Sequence, residues 1–280
     1  MPTRRPQKSK THIVIQDADD PRLAPYNSLK GKELERDGIF IAEGEKVVRC
    51  MVGSGLRIAS CLTAGSATGK YRSILAAMSK RAAPVYIAAD KLIEKIIGFR
   101  FHKGIMAVGY CPKKLTVSDA LKDHKRPLLL VALNAVNDPQ NVGLIARNAA
   151  AFGVQALIVD NATYDPYYRK AVRVSMGTVF GLPVCYEDDL MSSLIQLKNK
   201  YDTRIIAATP GRSAGDLAKA RLSGNICFVF GNEDKGVSRK VLSIADAKMR
   251  IPISKAVDSL NVASASAVCL YEASRIQGTR

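Results

Sequence analysis

The chain has 280 residues, 47% of them hydrophobic, with 42 Lys and Arg against 25 Asp and Glu for a formal charge of +17. An isoelectric point near 9.7 and a mean hydropathy of -0.01 describe a globular chain with core enough for one large domain or two ordinary ones. No apolar run approaches the roughly 18 residues that cross a bilayer, the three isolated histidines lack metal-ligand spacing, and the six scattered cysteines form no CxxC pair.

The cysteines read as reduced core residues and the N-terminus "MPTRRPQKSKTH" has no apolar leader behind it, so a cytoplasmic location with no membrane and no metal is expected. Residues 1–125 hold 23 basic and 12 acidic groups and residues 126–280 hold 19 and 13, excesses of +11 and +6. Such an excess favours polyanions, whose condensed counterions are released on binding.

Residues 1–25 read as a basic arm ending in the irregular "DADDPRLAPY". Then come a strand from 40, a helix over 43–52, a strand over 58–62 and a helix over 71–80. A strand at "PVYIAA", a helix over 90–97 capped by Asp90 and a strand over 105–110 complete a small αβα unit at 26–111. Just before its last strand, "FRFHKG" interleaves aromatic and basic residues. Phe99 and Phe101 there are either base-stacking groups or core, and Arg100, His102 and Lys103 are candidates to hold RNA phosphates.

Residues 112–126, polar and basic with a short helix at most, are expected to be a linker. A second unit over 127–280 then alternates apolar strands ("PLLLVAL", "ALIVD", "LPVCY", "RIIAATP", "ICFVFG") with helices. That alternation implies a parallel sheet covered on both faces, with its ligand beyond the C-terminal ends of the strands.

Three loops are expected to converge there: 137–147, 209–212 with 231–238, and 251–261. The first, "NDPQNVGLIARN", sets Asn141 and Arg147 within two turns of one helix start. The second, "FVFGNEDKGVS", brings Gly231, where backbone can approach a ligand closely, and Glu233, a carboxylate able to pair with Arg147. The third, "IPISKAVDSLNVASASAVCLYE", puts Ser259 and Asn261 at the start of a helix lined by 263–267, small residues that let another backbone come close. Neither GxGxxG nor a P-loop is present, which argues against dinucleotide, common Rossmann methyltransferase and P-loop folds.

These three motifs, in this order and spacing, resemble those of the SpoU (TrmH) family, S-adenosylmethionine-dependent RNA ribose 2′-O-methyltransferases of the SPOUT superfamily. The resemblance covers about 126–280. Residues 38–110, with "FIAEGEKVV" and "HKGIMAV", resemble the ribosomal-protein-like RNA substrate-binding domain often fused in front. It implies an α/β parallel-sheet SPOUT fold with a C-terminal deep trefoil knot, otherwise nearly absent among proteins, and a homodimer in which the partner chain completes each site.

Carried over by position, the resemblance assigns catalysis to Asn141, Arg147, Glu233, Ser259 and Asn261. It assigns S-adenosylmethionine to Thr209, Gly231, Ile251 and Leu260, with Ile253 a further possibility. Two departures stand beside these residues: Asp234 where the family usually has Gly, and Ala263 where Ser is usual.

The implied reaction moves a methyl group to a ribose 2′-oxygen, which needs alignment and a proton acceptor. A guanidinium stays protonated in proteins, so two routes are open: Arg147 deprotonated transiently when desolvated, or Arg147 holding an RNA phosphate that takes the proton. Glu233 and Asn141 are expected to orient Arg147. Ribosomal RNA is the favoured substrate; the alternatives are transfer RNA, or a non-catalytic RNA-binding protein of ribosome assembly.

Overall fold

The computed structural model describes residues 12–27, 38–98, 100–101, 104–123, 127–211 and 213–278. The chain divides into two compact units, Met1–Pro112 and Lys113–Arg280.

The first unit runs β1 (His12–Val14), α1 (Ala24–Asn27), β2 (Ile39–Glu43), α2 (Glu45–Gly53), β3 (Ile58–Ala64), α3 (Arg72–Lys80), β4 (Val85–Ala88), α4 (Asp90–Ile97) and β5 (Ile105–Tyr110). The strands form one sheet in the order β1-β4-β3-β5-β2. β4 is parallel to β1 and β3, while β5 is antiparallel to β3 and β2. Leu23, Tyr26, Ile41, Leu62, Ile93 and Met106 pack into one buried cluster. The Tyr26 hydroxyl is not left unmatched there, because it shares a 2.8 Å hydrogen bond with the Ser60 hydroxyl.

Two expectations for this unit are corrected and one open alternative is decided. The arm over 1–25 is structured from His12 onward: β1 pairs with β4, and Ile15 and Leu23 are buried. Asp90 does not cap α4, whose N-cap is Ala89; its carboxylate instead accepts a 2.9 Å bond from the Ser66 hydroxyl. Phe101 belongs to the buried cluster, so it is core and not a base-stacking group.

The second unit opens with α5 (Val117–Leu121), β6 (Leu129–Asn134), α6 (Pro139–Ala151), β7 (Ala156–Asp160), α7 (Arg169–Val174), β8 (Val184–Glu187) and α8 (Leu190–Tyr201). It continues through β9 (Arg204–Ala208), β10 (Gly215–Asp216), β11 (Ile226–Gly231), α9 (Arg239–Ile244), β12 (Ala247–Arg250) and α10 (Val262–Gln277). All seven strands pair in parallel, in the order β10-β12-β9-β11-β6-β7-β8. The central strands β6 and β11 are buried along their whole length, as their continuous apolar sequences require of a sheet covered on both faces.

On one face Leu130, Ile158, Val229 and Ile205 pack with Leu194 and Leu197 of α8 and with Val117 and Leu121 of α5. The linker expected over 112–126 is thereby corrected: α5 is part of this core, started by a Thr116–Asp119 capping box. α7 and α10 both pack against α6. The α6–α7 approach depends on Gly143, where a Cβ would lie 2.5 Å from the Ala171 carbonyl oxygen.

Candidate active site

A polar scaffold at the C-terminal ends of β6, β7 and β11 holds the site loops. Asn134 donates its amide to Asp160 at 2.9 Å and accepts from the Ser238 N–H at 2.8 Å. Asp160 also accepts from the Ala135 N–H at 3.0 Å and the Thr163 hydroxyl at 2.8 Å. Asn232 donates to the Ala135 carbonyl at 2.9 Å, and its own oxygen accepts from the N–H groups of Asp234 and Lys235. These bonds fix Ala135 at a φ of 61°, a left-handed conformation that costs a non-glycine residue about 1 kcal/mol or more.

On this scaffold the three motifs meet in one chain of hydrogen bonds. Asn141 donates its amide to Glu233 Oε1 at 2.7 Å, and its Oδ1 accepts from the Asn261 amide at 2.9 Å. Asn261 is the N-cap of α10, its Oδ1 accepting from Ala263 N–H at 2.9 Å and Ser264 N–H at 3.3 Å. The other end is clamped too, since Glu233 accepts from the backbone N–H groups of Asn137 and Asp138, each at 3.3 Å.

The chain can run only one way. An ionised carboxylate only accepts, so Asn141 must turn its NH2 toward Glu233 and its oxygen toward Asn261, whose oxygen then meets the helix N–H groups. The positive end of α10 is thus linked through two amides to one negative charge, an arrangement in which each bond polarises the next.

Asn141 is buried while Arg147, six residues on, is exposed. Six residues rotate a helix by about 240°, so the two lie on different faces, roughly 9 Å apart along the axis. The expected pairing of Glu233 with Arg147, and the orienting of Arg147 by Glu233 and Asn141, are corrected: the carboxylate is taken by Asn141 and two backbone N–H groups. Among the described residues Arg147 makes no hydrogen bond or ion pair. Ser259 is likewise exposed and lies outside the hydrogen-bonded chain.

Asn148, which the sequence reading passed over, does face α10. It donates to the Ala263 carbonyl at 2.8 Å and to the Ser266 hydroxyl at 3.0 Å. Its signal in the sequence was its distance of seven residues from Asn141, which returns to the same helical face. The scaffold residues Asn134, Asp160 and Asn232 were also missed as a set, because only the parallel register makes them neighbours.

Three of the residues expected to hold a cofactor stand at the C-terminal ends of neighbouring strands. Thr209 follows β9, Gly231 ends β11 and Ile251 follows β12, and β12, β9 and β11 are adjacent in the sheet. The Thr209 N–H donates to the Met249 carbonyl at 2.9 Å, tying two of these strand ends together. A Cβ on Gly231 would collide with the backbone of Gly236 and Val237, so glycine is required for the loop to fold back. Leu260 and Ile253 are 38% and 37% exposed.

Of the loop expected to touch RNA, Arg100 is exposed. Phe99, His102 and Lys103 lie outside the described residues. No group of three or more His, Cys, Asp or Glu side chains able to hold a metal ion exists among the described residues, nor is any of their helices long and apolar enough to cross a membrane.

The SpoU rRNA Methylase family profile matches residues 128–271, the span that carries the sheet and the hydrogen-bonded chain. A Mycobacterium tuberculosis protein described as an uncharacterized tRNA/rRNA methyltransferase is 32% identical over 267 residues, covering 92% of this chain and 90% of its own. The 23S rRNA (guanosine-2'-O-)-methyltransferase RlmB of Vibrio vulnificus is 35% identical over 177 residues, 62% of this chain and 70% of its own. In fold, the chain is similar to an AdoMet-bound rRNA methyltransferase from Sinorhizobium meliloti, with a TM-score of 0.83 at 24% identity over 95% of this chain and 98% of that one. With a profile that spans half the chain and a relative alike over nearly its whole length, this protein belongs to the SpoU rRNA Methylase family.

Proposed function

We propose that the protein methylates a ribose 2′-hydroxyl of RNA, ribosomal RNA foremost, with S-adenosylmethionine as the methyl donor. The observation that supports this reading is the chain Glu233–Asn141–Asn261, in which one residue from each family motif joins a single polar centre. The relatives named for ribosomal RNA methylation point to the same chemistry.

Thr209, Gly231 and Ile251 at neighbouring strand ends, with Leu260 before α10, fit the cofactor. Thr209, Gly231, Ile251 and Leu260 offer backbone groups to its polar parts, and the half-exposed Ile253 and Leu260 offer apolar surface to its base. When bound, it supplies the electrophilic methyl group. The protein's own residues do the rest. Glu233, through Asn141, fixes the Asn261 amide and the start of α10, and Asn261 and the exposed Ser259 hydroxyl position the acceptor ribose. Arg147, exposed and without a partner among the described residues, holds the RNA phosphate that takes the 2′-hydroxyl proton. This is the route its exposure supports, since an exposed guanidinium is free to donate to a phosphate.

The same reading includes a homodimer. Val268 and Tyr271, 41% and 49% exposed, stand on α10 with Tyr271 edge-on to Phe152, an apolar face beside the exposed Arg147 helix. It also includes the knot, in which the C-terminal segment threads a loop, and an RNA-binding role for the first unit through Arg100, His102 and Lys103. The test is transfer of labelled methyl groups to separated ribosomal and transfer RNA. Label in ribosomal RNA that resists alkaline cleavage at the modified position supports the reading; label in transfer RNA alone moves the substrate; cofactor binding absent altogether overturns it.

A further inference from the structure

Beside the hydrogen-bonded chain, the loops after β6 and β11 enclose a half-open cavity of about 870 Å3. Its walls include Asn137, Ala162, Asn232, Asp234, Lys235 and Arg239. Glu233, Asn141 and Asn261 do not line it, yet it is bounded by the two neighbours of Glu233 and by Asn137, whose N–H holds that carboxylate. An occupant would therefore sit next to the reaction centre without entering it.

The polar groups of the walls fall into two sets. Asn134 and Asn232 have committed their amides to the scaffold. Among the described residues the side chains of Asn137, Lys235 and Arg239 make no hydrogen bond or ion pair. Two cations and one amide, all on exposed residues, thus stand in the walls of a cavity with Asp234 as the one carboxylate of its lining. Cation and amide donors around a space of this size suit a nucleotide, with the cations for its phosphate and the amide for a sugar or base edge.

Building on the function proposed above, we propose that this cavity is a subsite for the nucleotide adjacent to the acceptor ribose. Lys235 and Arg239 hold its phosphate and Asn137 its sugar or base edge. Seating one neighbour here adds binding contacts to the flexible strand on one side of the reacting hydroxyl.

Two variants of the full chain test it: Lys235→Ala with Arg239→Ala removes the charge, and Ala162→Trp narrows the cavity without altering charge. Each is expected to raise KM for RNA about tenfold or more, with kcat and the affinity for S-adenosylmethionine little changed. The charge variant also flattens the dependence of log KM on log salt by about 1.4, two contacts at roughly 0.7 each. An effect of the charge variant alone would mean general surface attraction and would overturn the subsite. A direct probe is uridine 3′,5′-bisphosphate, followed by shifts of the amide signals of Asn137, Gly236 and Ser238. Shifts that Ala162→Trp abolishes uphold the subsite even where no RNA offered is methylated, and their absence overturns it even in an active enzyme.

Discussion

Asn148 gives both protons of its amide to α10, at 2.8 Å to the Ala263 carbonyl and 3.0 Å to the Ser266 hydroxyl, one helical face away from the exposed Arg147. Together with the Asn141–Asn261 bond seven residues earlier, it fixes α10 against α6 at two points. The small side chains of α10 permit this approach, with Ala263 and Ser266 buried against the partner helix.

Asn148→Ala removes two bonds and leaves the Ala263 carbonyl with its 2.7 Å bond from Ser266. It is expected to destabilise the second unit by about 1–3 kcal/mol. Urea unfolding measures the loss; calorimetry should show weaker S-adenosylmethionine binding, because the Asn261 cap loses its second anchor. Unchanged stability would mean that the bonds exchange freely with water.

Arg147→Ala separates chemistry from stability. The side chain is exposed without a partner among the described residues, so unfolding free energy should stay within about 0.5 kcal/mol. Methyl transfer should fall by about 100-fold or more. Full transfer with normal RNA binding would remove Arg147 from the site.

Asn141→Asp places a second carboxylate on Glu233 in place of a 2.7 Å hydrogen bond. Two such groups cannot both ionise cheaply, so one of them titrates above its ordinary value in the folded state. A raised carboxyl pKa makes the folded protein hold more protons than the unfolded one above about pH 4, so stability should fall as pH rises from there toward the raised value. Thermal melts across pH 4–8 read this directly. The wild type should lack that added slope.

The thiols give a test of burial. Cys61, Cys185 and Cys269 are pushed up to about 12 by burial, and Cys227 is raised for the same reason. Native protein should expose only Cys50 and Cys111 to Ellman's reagent, with all six reacting in denaturant. Unfolded thiols titrate near 8.5, so stability falls as pH rises above that value.

Much of the sheet is legible in the sequence because buried parallel strands are continuous apolar runs. "ALIVD" and "ICFVFG" coincide with β7 and β11, and Asp189 stands as the N-cap of α8. Where polar residues interrupt the pattern, local reading fails. The short α5 lies in a stretch of linker-like composition, but three of its residues fill a groove of the core supplied by distant strands. His12–Val14 is too short to declare itself as a strand and exists as one because β4 offers a free edge.

The site divides in the same way. The sequence by itself determined which residues carry the family motifs and that their loops follow strands, so Asn141, Glu233 and Asn261 could be named in advance. Only the tertiary structure decided their partners. Glu233 bonds Asn141 and not Arg147, because α6 turns the first toward α10 and the second away. Periodicity says which residues share a helical face; it cannot say which face another helix will cover, and that choice is made by the packing of α10 across chain separations of more than a hundred residues.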